Sequence, residues 1–566
     1  MDQLLPCRGS SAARRRWCRP AARPSSALAI GASVAAALLL AVVLFGVRLT
    51  PSGGNNSWVF DGGRDDVLKA GPLATVPDPR DPTLGGLLSP DFNDSSCLSR
   101  YRAVLYRRPS LHAISSHLIS ALRRYESLHR QCGPGTPAYA RAVERLRAAP
   151  NASTTPPSSS SFDCSYLVWN PVEGLGNRIL SITSGFLYAL LTDRVLLLHS
   201  SGGDLDDLFC EPFPGSTWIL PAGDKDDFPI RDMEQLGQGH HESLGAVLGR
   251  GEDPGGAASP WLYAHLVHNY DAQDRRFFCD DAQAALRRVP WLVFHSDNYF
   301  APGLFLIPGE QHERELSRMF PRRDAVFHHL GRYLFHPSNT VWGMVTRYHE
   351  EYFAKADERV GIQVRTFGWA PISADELYGQ ILKCTQREGI LPVPVPGEVV
   401  AANADDGRQP AKRKAVVVVS LHGEYSEKLR EMYRKDNNGS TTTGGEAVSV
   451  YQPTHLGAQR SGEKEHNQQA FAEMVLLGFS DAVVTTAAST FGYVGQGLAG
   501  LRPWVLMSPV DEKAPDTPCR HAPTIEPCFH SPPNYDCRAK AEGDAGRMVR
   551  HIRHCEDYPQ GVQLVE

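Results

Sequence analysis

The chain has 566 residues, 42% of them hydrophobic, which is long enough for more than one domain and apolar enough to fill real cores. Its formal net charge of -5 at pH 7 gives no basic footprint for nucleic acid, and that class of partner is set aside.

Residues 1–26 carry Arg8, Arg14, Arg15, Arg16, Arg19 and Arg23, and the stretch 27–47 that follows holds no charge. At about 1.5 Å per residue such a stretch crosses a bilayer core of about 30 Å. Arg48 stands almost alone beyond it, so the positive-inside rule keeps residues 1–26 cytosolic and the body lumenal. A cleaved signal peptide is the rival reading and leads to the same compartment. Ten of the 12 cysteines lie beyond the span, and Asn55, Asn93, Asn151 and Asn438 stand in N-x-S sequons. Both features suit an oxidising lumen with disulfide bonds and N-glycans. Zinc at Cys519, Cys528, Cys537 and Cys555 with His521, His530 and His554 is disfavoured, because the spacings are too wide for a common finger.

Residues 48–90, rich in Gly, Pro and Asp, cannot bury enough surface to order themselves and read as a stem. Residues 91–161 read as a helical cap, punctuated by Gly133-Pro134-Gly135, and a low-complexity linker.

The segment 162–345 opens with a strand at 166–169, a turn from Asn170 to Asn177, a helix through Ile179 and Leu190, and a strand at 194–198. Gly174 and Gly176 permit a tight turn, and Asn177 and Arg178 at the helix start can face a ligand. No third glycine completes a dinucleotide fingerprint. Near 291–299 another strand delivers Asp297 at its carboxyl end, a position taken more often by caps and turn formers than by catalytic acids and bases.

The segment 346–566 repeats the alternation, with strands at 360–364 running into Arg365 and at 415–420 running into His422. Polar surface loops are expected at 392–414 and 436–445. Last come a strand at 482–486, a short helix capped by Ser489 or Thr490, and a strand at 503–507. Alternating strands and helices predict parallel sheets in both halves of an α/β protein.

In open α/β sheets ligands sit beyond the strands' carboxyl ends, where a helix start offers free amides to a phosphate. Residues 487–492 occupy that place, although small residues also serve close strand–helix packing. Arg365 ends a neighbouring strand, and its fork of N–H donors suits a pyrophosphate; its alternative is a salt bridge. No Gly-x-x-x-x-Gly-Lys loop is present, which speaks against an ATPase. Asp204-x-Asp206, Asp224-x-Asp226 and Asp280-Asp281 read as solvated acidic pairs rather than a metal site.

The block E-G-L-G-N-R-I-L-S from Glu173 resembles the plant cell-wall fucosyltransferases, typified by xyloglucan galactoside 2-alpha-L-fucosyltransferase. So do V-G-I-Q-V-R-T-F-G-W from Val360 and A-S-T-F-G-Y-V-G-Q-G-L-A-G-L-R-P-W-V-L from Ala488. Two further blocks, L-G-G-L-L-S-P-D-F at 84–92 and E-P-C-F-H-S-P-P-N-Y-D-C at 526–537, complete the family's order. The resemblance implies a GT-B-like glycosyltransferase with two Rossmann-like domains facing a cleft, anchored in the Golgi membrane as a single-pass type II protein. It also implies transfer of L-fucose from GDP-fucose, with inversion and without metal or other cofactor, to O2 of a galactose on a cell-wall polysaccharide. Xyloglucan is the best precedent for the acceptor, and arabinogalactan proteins would leave the donor motifs unchanged. By the same resemblance Arg365 holds the donor diphosphate, Ser489, Thr490, Phe491 and Gly492 surround phosphate and nucleoside, and Asn177 and Arg178 line the cleft. Gly495 stands where the family pattern has alanine. The acceptor's proton requires a base, for which Asp297 is the candidate, or a water relay. A non-catalytic glycan-binding scaffold and a protein O-fucosyltransferase are the other readings, and a lumenal homodimer is compatible with the stem and span.

Overall fold

A computed structural model describes residues 78, 80–92, 96–148, 164–200, 203, 205, 207–221, 228–255, 260–395, 412–436, 441–442 and 445–566. The apolar stretch 27–47, the four sequons, and Asp204, Asp206, Asp224 and Asp226 lie outside them. Among the described residues no helix is long and apolar enough to cross a membrane.

Two sheets organise the described chain. The first holds β1 (Ser165–Asn170), β2 (Arg194–Leu198), β3 (Trp261–His265) and β4 (Trp291–His295), all parallel, in the order β2-β1-β4-β3. The second holds β5 (Glu358–Gln363), β6 (Arg413–Val419), β7 (Ala447–Tyr451), β8 (Ala482–Thr486), β9 (Trp504–Leu506) and β10 (Cys519–His521). Its order is β10-β9-β8-β5-β6-β7, parallel except where β10 runs against β9. The expected strands are present within a few residues, and the sequence reading had passed over β3, β7 and β10.

Parallel strands need helices on both faces, and their side chains show it. In β1, Leu167 and Trp169 join one apolar cluster while Tyr166 and Val168 join another. In β6, Val417 and Val419 face one cluster, Val416 and Val418 the opposite one.

Ahead of the sheets lie the helices α1 (Ser116–Cys132) and α2 (Pro137–Ala148); Ser115 caps α1 by accepting from the Leu118 amide at 3.0 Å. Helix α3 (Leu175–Thr192) links β1 to β2, α4 (Lys464–Leu477) precedes β8, and α5 (Thr490–Ala499) links β8 to β9. Mid-helix Gly495 lets α5 lie tightly on α4, since a Cβ there would sit 3.0 Å from Leu477 Cβ.

After β10 the chain returns to the first half. The Tyr270 hydroxyl donates to the Ser531 carbonyl at 2.6 Å, and Cys279 is bonded to Cys537 across 258 residues. The Glu526 carboxyl accepts from the Tyr299 hydroxyl at 2.6 Å and from the Phe327 amide at 2.8 Å. The other disulfides are Cys97–Cys210, Cys132–Cys164, Cys384–Cys519 and Cys528–Cys555, so all ten cysteines beyond the apolar stretch are paired.

Burial raises the Glu526 carboxyl from its ordinary 4.5 to about 8, with hydrogen bonds from Tyr299 and the Phe327 and Val326 backbone opposing the shift and the Asp324 carboxylate adding to it. The neutral form is therefore favoured in the fold. Its stabilising contribution is complete below the unfolded value and is lost as pH climbs through the folded one. Glu473, pushed up to about 8 by the same cause, adds a term of the same sign. Thermal melts between about pH 5 and pH 8 are expected to show falling stability, at most about 1.4 kcal/mol per pH unit for each group. Glu526→Gln should roughly halve that slope; an unchanged slope contradicts the assignment.

Candidate active site

One cavity of about 540 Å³ opens where the carboxyl ends of both sheets come together. The first half contributes residues 173–177, His268, Asp297 and Asn298; the second contributes residues 363–365, Phe367, Trp369, residues 419–421, parts of 454–474 and the segment 488–491. The returning C-terminal segment adds His530, Ser531 and Tyr558.

Arg365 follows β5. Its backbone amide donates to Thr486 Oγ1 at 3.0 Å, which fixes the strand end against β8, and its Nη2 donates to Gln459 Oε1 at 3.0 Å. Among the described residues no carboxylate lies within ion-pair distance of this guanidinium. Burial alone lowers its pKa, with no anion opposing the shift. The salt-bridge alternative is therefore not what the residue does: a half-buried cation without a counter-ion faces the same cavity as the start of α5, and an anion is what that arrangement lacks.

Ser489 caps α5, its Oγ accepting from the Gly492 amide at 3.4 Å. The preceding Ala488 is held in left-handed backbone at φ 58, a conformation costly for a residue with a Cβ. Its amide donates to Asp557 Oδ2 at 3.0 Å, and the Tyr493 hydroxyl donates to the same oxygen at 2.5 Å. Asp557 thus fixes the bend through which the chain enters the helix.

The start of α3 meets the start of α5. Asn177 Oδ1 accepts from Thr490 Oγ1 at 2.7 Å, while its Nδ2 donates to the Asp297 carbonyl at 3.0 Å. A Cβ on Gly176 would lie 2.8 Å from the Phe491 nitrogen and 2.8 Å from Thr490 Oγ1, so only glycine lets the two helix ends approach. Gly492 has the same need, with Gln363 Oε1 2.9 Å from the place of its absent Cβ.

Asn177, Asp297, Arg365, Ser489, Thr490 and Phe491 all line the cavity, as expected; Gly492 lies one residue behind it. Arg178 does not line it. The side chain is buried, and its Nε donates to the carbonyl of Glu173 at 2.9 Å, holding that residue at φ 62. Helical neighbours point about 100° apart, so the residue after a cleft-facing Asn177 turns beneath the turn instead.

Asp297 is buried and already engaged. Its Oδ1 accepts from the His268 amide at 3.0 Å and from Asn298 Nδ2 at 2.6 Å, and its Oδ2 pairs with His268 Nδ1. Both residues line the cavity, but the Asp297 side chain is 7% exposed and that of His268 is 63% exposed, so the imidazole is the more accessible part of the pair. His530 lies deeper; burial lowers its pKa, while the Asp557 and Asp297 carboxylates pull it upward. The sequence reading had weighed His530 only as a zinc ligand, and it had not singled out His268 or Tyr558.

The thiolates once considered for zinc are not available, since Cys519, Cys528, Cys537 and Cys555 are each in a disulfide. Asp280 and Asp281 open a short helix away from the cavity, with Asp281 Oδ2 2.8 Å from Arg276 Nη2.

A family model described as xyloglucan fucosyltransferase matches residues 58–538. The galactoside 2-alpha-L-fucosyltransferase of Arabidopsis thaliana is 47% identical over 518 residues, covering 91% of this chain and 88% of that protein. The enzyme of the same description from Pisum sativum is 46% identical over 487 residues, covering 86% and 82%. Among solved structures, a mutant of Arabidopsis thaliana FUT1 in complex with GDP superposes with a TM-score of 0.75 at 47% identity, over 86% of this chain and 100% of that one.

Proposed function

The chain belongs to the xyloglucan fucosyltransferase family and is a fucosyltransferase; from that premise we propose that it transfers L-fucose from GDP-fucose, with inversion, to O2 of a galactose on a cell-wall polysaccharide, namely xyloglucan. The two parallel sheets then act as Rossmann-like domains of a GT-B-type cleft, with the donor on the second. We further propose that residues 27–47 anchor the enzyme in the Golgi membrane with its catalytic body in the lumen, and that turnover needs no metal ion. The observation that carries the reading is the uncompensated Arg365 in one cavity with the capped start of α5.

In this reaction the acceptor oxygen forms a bond to C1 of fucose from the face opposite the diphosphate. The C1–O bond to the β-phosphate breaks, and its electron pair leaves with GDP. Charge grows on that leaving oxygen, and Arg365 with the amides opening α5 is positioned to stabilise it. The proton of the acceptor hydroxyl goes to the ring nitrogen of His268 that is not paired with Asp297. Asp297, expected from sequence to take the proton itself, instead orients the imidazole and stabilises its cationic form, the part a carboxylate plays beside a basic histidine.

The test is turnover by the full-length chain in detergent with labelled GDP-fucose and a panel of wall polymers, in the presence of EDTA. Label should enter galactosylated xyloglucan and be released by cleavage specific for α-1,2-linked fucose. Transfer only to arabinogalactan protein, or to a polypeptide, contradicts the acceptor; no transfer at all contradicts the reaction.

A further inference from the structure

The mouth of the cavity carries an aromatic side chain that the reaction above leaves without a part. Trp369 is 61% exposed, one of the few large apolar side chains that the described surface leaves in water. It lines the same cavity as Arg365 and His268, and Leu456, 41% exposed, lines it as well. Apolar side chains scattered singly over a surface need no explanation, whereas two at the rim of one cavity mark a place that a ligand covers.

The loop after β5 holds the indole outward. The chain turns back on itself there, the Ala370 amide donating to the Phe367 carbonyl at 3.1 Å, with Gly368 and Trp369 as the central residues of the turn. Thr366, Phe367, Ala370 and Ile372 share a second, small cavity with Ala487 and Leu506, so the base of the loop rests toward β8 and β9. The Phe367 ring stacks on one side of the indole, centroids 5.1 Å apart and planes 27° from parallel. The Arg365 guanidinium carbon stands 5.9 Å from the Phe367 centroid. The indole therefore lies within about 11 Å of the guanidinium, a reach of two linked pyranose rings.

Two rings are what the reaction places beside the departing diphosphate: the fucose in transfer and the sugar that receives it. We propose that Trp369 is the platform for the acceptor's galactose, the indole resting on the ring face that carries C3–H, C4–H and C5–H. The axial O4 of galactose leaves those three bonds together on one face, whereas in glucose the C4–H turns to the opposite face. An aromatic face is the negative end of its quadrupole and attracts such C–H groups. It accepts galactose and is poorly matched by glucose, while O2 stays at the edge of the ring, open to the cavity. The inference rests on the acceptor reading given above and deepens it, by naming a residue that tells the two sugars apart.

The experiment is calorimetry and steady-state transfer by the full-length chain in detergent, with a galactosylated xyloglucan oligosaccharide and its counterpart stripped of galactose. Saturated with GDP, the unaltered chain should bind the galactosylated oligosaccharide about tenfold or more tightly than the stripped one. Trp369→Ala should bring the two affinities close together and raise KM for the galactosylated acceptor by about the same factor, with GDP affinity unmoved. Trp369→Phe, which keeps a flat ring of smaller area, should retain part of the preference. A preference left intact by Trp369→Ala overturns the proposal. Weakened GDP binding in that variant also overturns it, and makes the indole a support for Arg365 through Phe367. Weakened GDP-fucose binding at unchanged GDP affinity overturns it in favour of the donor's own sugar. If the unaltered chain neither binds nor fucosylates the galactosylated oligosaccharide, the acceptor reading itself fails, an outcome distinct from the others.

Discussion

Arg365→Ala is expected to lower the rate of GDP release from GDP-fucose in the presence of acceptor by about 100- to 1000-fold, with little change in the thermal midpoint. The two halves of that expectation have separate grounds. The side chain's hydrogen-bond partner is the neutral Gln459, with no carboxylate within ion-pair distance among the described residues, so its removal leaves no buried anion behind. The loss of activity follows from the proposed reaction, in which the charge on the departing diphosphate develops beside this guanidinium. Arg365→Lys should recover part of the rate, since an ammonium keeps the charge but lacks the planar fork. The strand end itself is held by the backbone amide of Arg365 on Thr486 Oγ1, which neither substitution touches. Activity within about tenfold of the unaltered enzyme would show that α5 alone carries the leaving group.

The second large effect is expected at His268. His268→Ala should reduce turnover by about two to four orders of magnitude and leave GDP affinity, read by calorimetry, unchanged. Added imidazole should restore part of the lost rate, because the cavity left by the ring opens toward solvent: the His268 side chain is 63% exposed. Asp297→Asn keeps the shape of the pair but removes the anion beside Nδ1, and should cost less than loss of the ring. The opposite ranking, with His268→Ala nearly active and Asp297→Asn inactive, would make Asp297 the base through a bridging water and reduce His268 to a lid over it. The rank order decides this more securely than either number, since residues that act together are not additive.

How far the sequence could be read depended on how local each signal was. The unit from β8 through α5 to β9 was legible because β-branched strands, a serine cap and helical spacing all lie within about 25 residues of one another. The Gly-x-Gly turn was legible as well, though for a reason other than the one expected. Gly176 serves the approach of α3 to α5, and that second helix begins more than 300 residues later. The strand β3 escaped notice because five residues among polar loops make a weak pattern, and with it went His268, three residues past its end. Glu473 was invisible for a different reason. In α4 a single glutamate among Phe471, Met474, Val475 and Leu477 looks like a surface charge, and only the fold shows it pointing inward. Arg178 was misplaced by one helical step. Each of these failures concerns a contact between segments far apart in the chain, which periodicity cannot report.

The return of residues 526–566 to the first half bears on how the protein is made. Glu526 completes the packing around Tyr299 and Phe327, and Cys537 closes onto Cys279. The amino-terminal half therefore cannot finish its own interior while the ribosome is still at work on the second. It must wait, partly open, for the last portion of the polypeptide to be delivered, and contacts so distant in sequence form slowly. A premature stop near the end would consequently do more than trim a tail. It would strand the earlier half with exposed apolar surface, a species prone to aggregate and to be taken up by quality control.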